Sequence, residues 1–181
     1  PGNIGFTTEY YAVKLQDTFS SASIADDISD YVGARITGAT SGVEAEVIEA
    51  VAATSTDPIT LYVKYTKTGT NNTSTTFSDG ENISSDGAVG SYSADAASAT
   101  TKASDATATG SSCNIQAGVY FIRGHFVQVA AERLILDKYT NTPSYRVGLT
   151  ITGTLVTPES DTSLQDNATG STNYAAKGAP R

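Results

Sequence analysis

"CNIQAGVYFIRGHFVQVAAERLILDKYTNTPSYRVGLTITGTLVTPE", Cys113 to Glu159, carries the strongest secondary-structure signal in the chain. Valine, isoleucine, tyrosine and phenylalanine crowd it, and branched or aromatic side chains suit a pleated, half-buried surface. Arg123 and Gly124 separate two such runs at the spacing of a two-residue hairpin. Thr140 to Pro143 makes a second turn, ahead of a long strand expected from Tyr145 to Val156. The expectation set by this stretch is a mainly β protein.

The upstream half agrees. "GFTTEYYAVKL" places Phe6, Thr8, Tyr10 and Ala12 on one face and Thr7, Glu9, Tyr11 and Val13 on the other, which reads as a strand over Gly5 to Leu15. In "SSASIADDISDYVG", Ile24, Ile28, Tyr31 and Val32 stand at roughly helical spacing behind Ser and Asp residues that could cap a short helix. From Ala34 onward, Ile36, then Val43, Ala45 and Val47, then Ile59, Leu61, Val63 and Tyr65 alternate with polar partners. Three strands follow from that period, joined by "TGATSG" and "ATSTDP", with "FSDGEN" turning the chain into Ile83. Between Ser84 and Ser112 large apolar residues nearly vanish, so the expectation there is a loop or linker, with a strand conceivable only where Ala106 to Thr109 alternate.

Composition narrows the function. A net charge of -8 without any Lys/Arg cluster argues against a nucleic-acid partner. No run approaches the ~20 apolar residues of a spanning helix, so membrane insertion is not expected. Cys113 is the single cysteine, which excludes an intrachain disulfide. The chain has no Met, at position 1 or elsewhere, and is read as a piece of a longer protein.

Motifs for chemistry are thin. His125, the only histidine, sits one residue past the Arg123-Gly124 turn, with neither a second His nor a Cys pair to build a zinc site or a Cys/His dyad. A hairpin role is therefore expected of it. Glu132 and Asp137 are near in sequence, but their spacing specifies no glycosidase pair. "GATSG" lacks the spacing of a nucleophile elbow, and no phosphate loop or dinucleotide fingerprint occurs. "SDGEN" and "SSDG" offer carboxylate and amide oxygens on Gly turns, as a calcium loop would, although ordinary β-turn chemistry accounts for them. No catalytic residue, cofactor or metal site is expected, and no enzyme activity.

In the tail, Ser160 or Asp161 can cap a short helical turn around Leu164, Gly170 can end it, and "NYAAKGAPR" is expected to run on as an extended strap. As strings, "VYFIRGHFV", "LILDKYTNTPSYRVGL" and "SLQDNATGSTNYAAKGAPR" closely resemble an uncharacterised domain family found in virion structural proteins of contractile-tailed bacteriophages. "VGARITGATSGVEAEVI" and "LYVKYTKTGTNNTSTTFSDGENI" look like the same family, so the resemblance spans nearly the whole chain. It implies a fragment of a larger tail, baseplate or tail-fibre component, made in the host cytoplasm and resident in the virion. It carries no catalytic residue across.

The architecture expected is a small β-barrel or sandwich, residues 34–85, inserted between strands of a second antiparallel sheet built from 1–33 and 113–160. Residues 86–112 would be the loop or linker and 161–181 the C-terminal strap. Such a module acts through shape and burial against copies of itself, a trimer being one option, and against other tail or baseplate proteins. The expected assembly contacts are Tyr120, Phe121 and Phe126 on the hairpin and Tyr139 and Tyr145 beside the second turn, each of which could instead be ordinary core. Two other classes stay open. A receptor-binding adhesin for a host-surface glycan could use the loop "GSYSADAASATTKASD", and a polysaccharide-degrading tailspike would need a carboxylate pair in an aromatic groove.

Overall fold

The computed structural model describes residues 4–167, 169–170, 172 and 174–178, with the side chains of 4–10 left aside. The chain is mainly β. It forms two compact units, Pro1–Tyr145 and Arg146–Arg181.

The first unit is organised by one eight-stranded antiparallel sheet. Its strands are β1 (Ile4–Lys14), β4 (Arg35–Gly38), β5 (Glu44–Val51), β6 (Thr60–Lys67), β7 (Asn82–Ser85), β8 (Ala97–Thr100), β9 (Thr107–Ile115) and β12 (Glu132–Asp137), in the order β12-β9-β1-β6-β5-β4-β7-β8. Two small ribbons complete the unit, β2 (Thr18–Phe19) with β3 (Ala22–Ser23) and β10 (Gly118–Ile122) with β11 (His125–Val129). The sheet curls. Past the end of β8, Thr101 bridges Leu15, Gln16 N donates to Thr100 O at 2.9 Å, and Lys102 N donates to Lys14 O at 2.9 Å, so the outer strand comes back to the end of β1.

The alternation read from the sequence explains what the curl encloses. In a strand successive side chains face opposite ways, and Ile36, Val43, Ala45, Val47, Ile59, Leu61 and Val63 all turn into one buried cluster with Val13, Leu15, Ile83 and Ala99. The stretch expected to be helical supplies a lid for it. Ile24, Ile28 and Tyr31 are buried in the same cluster, but the helix is only a 3-10 turn, Ile28–Tyr31, and the side chain of Asp27 at its N-cap makes no capping bond. On the opposite face Ala12 and Tyr62 are covered by Ile48, Val51, Ala108, Ile135 and Tyr139.

Three expectations change. Residues 86–112 are not a linker: they contain β8 and most of β9, with Ser98, Ala99, Thr101, Ala106, Ser111 and Ser112 buried. Small side chains are what this place requires, since a Cβ on Gly110 would lie 2.7 Å from Lys138 O and 2.8 Å from Asp137 O. Backbone ladders, β8 to β7 and β9 to β1 and β12, with side-chain bonds from afar such as Tyr31 Oη donating to Ser98 Oγ at 2.8 Å, hold strands that contribute little apolar mass. Because β9 pairs with β1 and β1 pairs with β6, strands assigned to an inserted domain and to its host share a single sheet.

The second change is that Tyr145 to Val156 forms no strand. The third concerns the tail. Asp161 does cap the short turn Thr162–Leu164, its carboxylate accepting from Ser163 N at 2.9 Å. The chain then folds back rather than running on extended: Gln165 bridges Lys177, Asp166 N donates to Ala176 O at 2.9 Å, and Lys177 pairs with Glu159. That pairing holds the Glu159 carboxyl down at about 2.

Candidate functional site

The β10–β11 ribbon turns where it was expected to. Arg123 (φ 48) and Gly124 (φ 89) are both left-handed, the geometry of a turn whose twist matches the strands it joins. The register sets Phe121 opposite Phe126 and Tyr120 opposite Val127. The two phenylalanine rings stand 5.2 Å apart at 53°, yet the side chains remain 67% and 80% exposed. Val119 on the same face is also exposed, so this face of the ribbon is an apolar surface in water. Tyr120, on the other face, is half-buried and its hydroxyl has no hydrogen-bond partner among the described residues. His125 pairs with Ile122 at the ribbon's tip and is exposed.

The other two expected contacts lie apart from the ribbon. Tyr139 packs into the cluster with Ala12 and Tyr62, shares a 2.8 Å hydrogen bond with Thr60 Oγ1, and has Lys14 Nζ 4.5 Å above its ring. Its surroundings are those of a folded sheet face. Tyr145 is exposed and donates to Asp137 Oδ1 at 3.0 Å, and that hydrogen bond raises the tyrosine's pKa.

The turns weighed as calcium loops direct their carboxylates at protein donors. Glu81, 3% exposed, accepts from Thr40 N (2.9 Å), Ser41 N (2.8 Å), Ser41 Oγ (2.8 Å) and Ser78 N (2.6 Å). Gly38 leaves room for it, since a Cβ there would fall 2.6 Å from the carboxylate. Asp79 accepts from Ala106 N, and Asp86 accepts from Arg35 N, both at 2.8 Å. Among the described residues no three His, Cys, Asp or Glu side chains gather as a metal would need.

Among the described residues, two shallow surface depressions are of note. An open, charged depression of about 540 Å³ is lined by Arg35, Glu44, Glu46, Lys67 and Asp86, and within it Lys67 Nζ lies 2.7 Å from Glu44 and lowers that carboxyl's pKa. A second, of about 360 Å³, has Tyr11 and Tyr65 on its wall among Thr66, Lys67, Thr68, Thr75 and Thr76. The two rings meet edge-on at 5.1 Å, and burial pushes the Tyr65 hydroxyl up to about 12. The loop read as an adhesin tip is tied down instead. Tyr92 packs on Phe19 at 5.3 Å, and β8 occupies the loop's middle.

Sequence reading placed Glu81 in "SDGEN" as a turn with calcium-like oxygens and missed its role as the acceptor for the amides of Thr40, Ser41 and Ser78. No family model, no curated protein and no solved structure matches the chain.

Proposed function

We propose that this chain is a structural module of a contractile-tailed bacteriophage, part of a larger tail, baseplate or tail-fibre component, and that it works by assembly and not by catalysis. The observation that carries the reading is the ribbon: a rigid two-residue turn presents Phe121 and Phe126 to solvent as a pair. Aromatic side chains that meet across strands and stay uncovered are the composition of an interface centre. The wording resemblance of nearly the whole chain to virion proteins supplies the context, and a virion location follows from it. Neighbouring tail or baseplate proteins are the partners of this surface.

A mass-spectrometric inventory of purified contractile-tailed virions is the direct test. Peptides of this sequence, carried in a longer chain, are expected. Consistent absence of such peptides from virions whose genomes encode the sequence overturns the reading.

A receptor-binding role is the second reading, and the depression beside Tyr11 and Tyr65 is what favours it, with aromatic faces and threonine hydroxyls together in an open site. Binding to a glycan array that a Tyr11→Ala variant loses would move the assignment there. Release of sugars from purified host polysaccharide would move it to an enzyme.

A further inference from the structure

The depression beside Tyr11 has two walls, and both are held in place from behind. On one side Tyr11 meets Tyr65 edge-on at 5.1 Å, and Tyr65 leans at 5.6 Å on Phe77, which is buried. Tyr11 itself is 37% exposed, so the outermost ring of the series is offered to solvent. The other side is the loop from Thr68 to Thr76. Asn71 Oδ1 accepts from Thr73 N at 2.9 Å and Ser74 N at 2.8 Å, Gly69 N donates to Ser74 O at 2.8 Å, and a Cβ on Gly69 would collide with Ser41 O. Ser41 N and Ser78 N both donate to the buried Glu81 carboxylate. That one carboxylate therefore fixes the backbone behind the loop and the backbone just past its end.

The lining is chemically narrow. Thr68, Thr75 and Thr76 are exposed, and their hydroxyls make no hydrogen bond to a described residue. Each can donate one bond and accept two. Thr66 Oγ1 is already spent on Glu44 O at 3.2 Å, and Lys67, the one charged group among the described lining residues, is spent on Glu44 Oε1 at 2.7 Å. What remains is an aromatic face, three free hydroxyls and no uncommitted charge.

We infer that this depression binds a single neutral pyranose unit of a saccharide, with Tyr11 as the platform and Thr68, Thr75 and Thr76 as the hydrogen-bonding rim. A pyranose has a face of C–H bonds, whose slight positive charge suits the negative face of an aromatic ring, and a fringe of hydroxyls that donate and accept as threonine does. A charged sugar finds no counter-ion here, and an acidic one also meets a chain of net charge -8. The volume of about 360 Å³ lies near the bottom of the roughly 300–1,000 Å³ of ligand sites, which suits one ring and not a buried chain of them. Rigid walls lower the cost of ordering the site, but it is open, so affinity should be weak, about millimolar. The inference rests on the receptor-binding reading of this depression and narrows it to a ligand class.

Amide chemical shifts of the isotope-labelled full chain test it, in titrations with methyl glucopyranoside, methyl galactopyranoside and N-acetylglucosamine as neutral probes and with glucuronic acid and glucosamine as charged ones. We expect saturable shifts centred on Tyr11, Thr68, Thr75 and Thr76 with at least one neutral probe, and binding of both charged probes weaker by about threefold or more. Tyr11→Ala should weaken the neutral probe about tenfold, and Tyr11→Phe, which keeps the ring face, by no more than about twofold. Thr75→Val/Thr76→Val should weaken it about fivefold with melting unchanged, since both side chains are exposed, and this variant carries the test if Tyr11→Ala fails to fold. Absence of a saturable shift with every neutral and charged probe overturns the inference and the receptor-binding reading together, and leaves a crevice between strand and loop. A charged probe that binds more tightly overturns the inference alone, because the depression then serves another class of receptor. Binding that either folded variant leaves intact, Tyr11→Ala or the threonine pair, overturns it as well. None of these outcomes bears on the assembly reading, which the virion inventory decides.

Discussion

Two sets of strand-like sequence in this chain have opposite fates. β8 and β9, "ASAT" and "TATGSSCNI", have almost no large apolar side chain, yet Ser98, Ala99, Ser111, Ser112 and Cys113 in them are buried. The ribbon β10–β11 and the stretch 145–156 are rich in Phe, Val, Leu and Ile and stay exposed. β propensity states what a pleated surface tolerates, and closeness of approach decides which side chains it needs. Where backbones crowd, as at Gly110 against Lys138, Ala and Ser fit and larger residues do not. The apolar ribbon and the 145–156 stretch, without such neighbours, leave their large side chains exposed.

The contrast can be broken at its buried end. Glu81→Ala should be the most damaging single change, about 3–5 kcal/mol, because it leaves the amides of Thr40, Ser41 and Ser78 without their acceptor. Urea melts of the purified chain measure this. A loss below about 1 kcal/mol would show that the turns do not depend on the carboxylate.

At the exposed end the effects should be smaller and local. Gly124→Val forces a β-branched residue to φ near +89 and should cost about 1–3 kcal/mol, although open space surrounds the site. Since the ribbon is its own sheet, faster exchange of the Gly118–Val129 amides is expected with little change in the melting of the eight-stranded sheet. His125→Ala, one residue further, should stay within about 0.5 kcal/mol and keep the circular dichroism spectrum. Loss of a catalytic activity in that variant would sink the hairpin reading of the histidine.

The smallest effect concerns acid. Hydrogen bonds from Lys67 to Glu44 and from Lys138 to Asp57 hold both carboxyls below their usual range. A depressed folded pKa contributes stability that is present above the unfolded value and lost as pH falls through the folded one. The Lys67–Glu44 bond is exposed and the Lys138–Asp57 pair half-buried at the surface, so a shallow decline in melting temperature is expected below about pH 4, flattened by salt and by Lys67→Ala with Lys138→Ala. Glu49, raised by burial, runs the other way and loses its contribution as pH rises. A decline that persists in the double lysine variant would assign acid sensitivity elsewhere.

Much of the curled sheet was legible. The period-two pattern placed β1, β4, β5 and β6, and the Arg123-Gly124 turn was readable because only a left-handed pair closes a two-residue hairpin compactly. β8 was not, and β9 only at its start, where Ala106 to Thr109 alternate, because pattern reading weighs apolar mass and these strands are held by ladders and tight packing. Tyr145 to Val156 failed in the reverse sense: the pattern is that of a strand, but a strand also needs a neighbour, and the period of one chain does not say whether the monomer supplies it. Among the expected contacts, Phe121 and Phe126 stand exposed, whereas Tyr139 packs on the sheet. Nothing in the wording around these aromatics distinguishes the two outcomes.

The position of β1 has a consequence for synthesis. It lies between β6 and β9, so its two neighbours emerge from the ribosome roughly 50 and 100 residues after it does. For that interval both of its edges are open, and it is followed by the early partners β4 and β5, which can close on each other first. Covering the second edge of β1 therefore waits on β9, a strand rich in small polar residues. A nascent chain halted before Thr107 would carry β1 with one edge still free, and that edge is the place where a chaperone, or another unfinished copy, would attach.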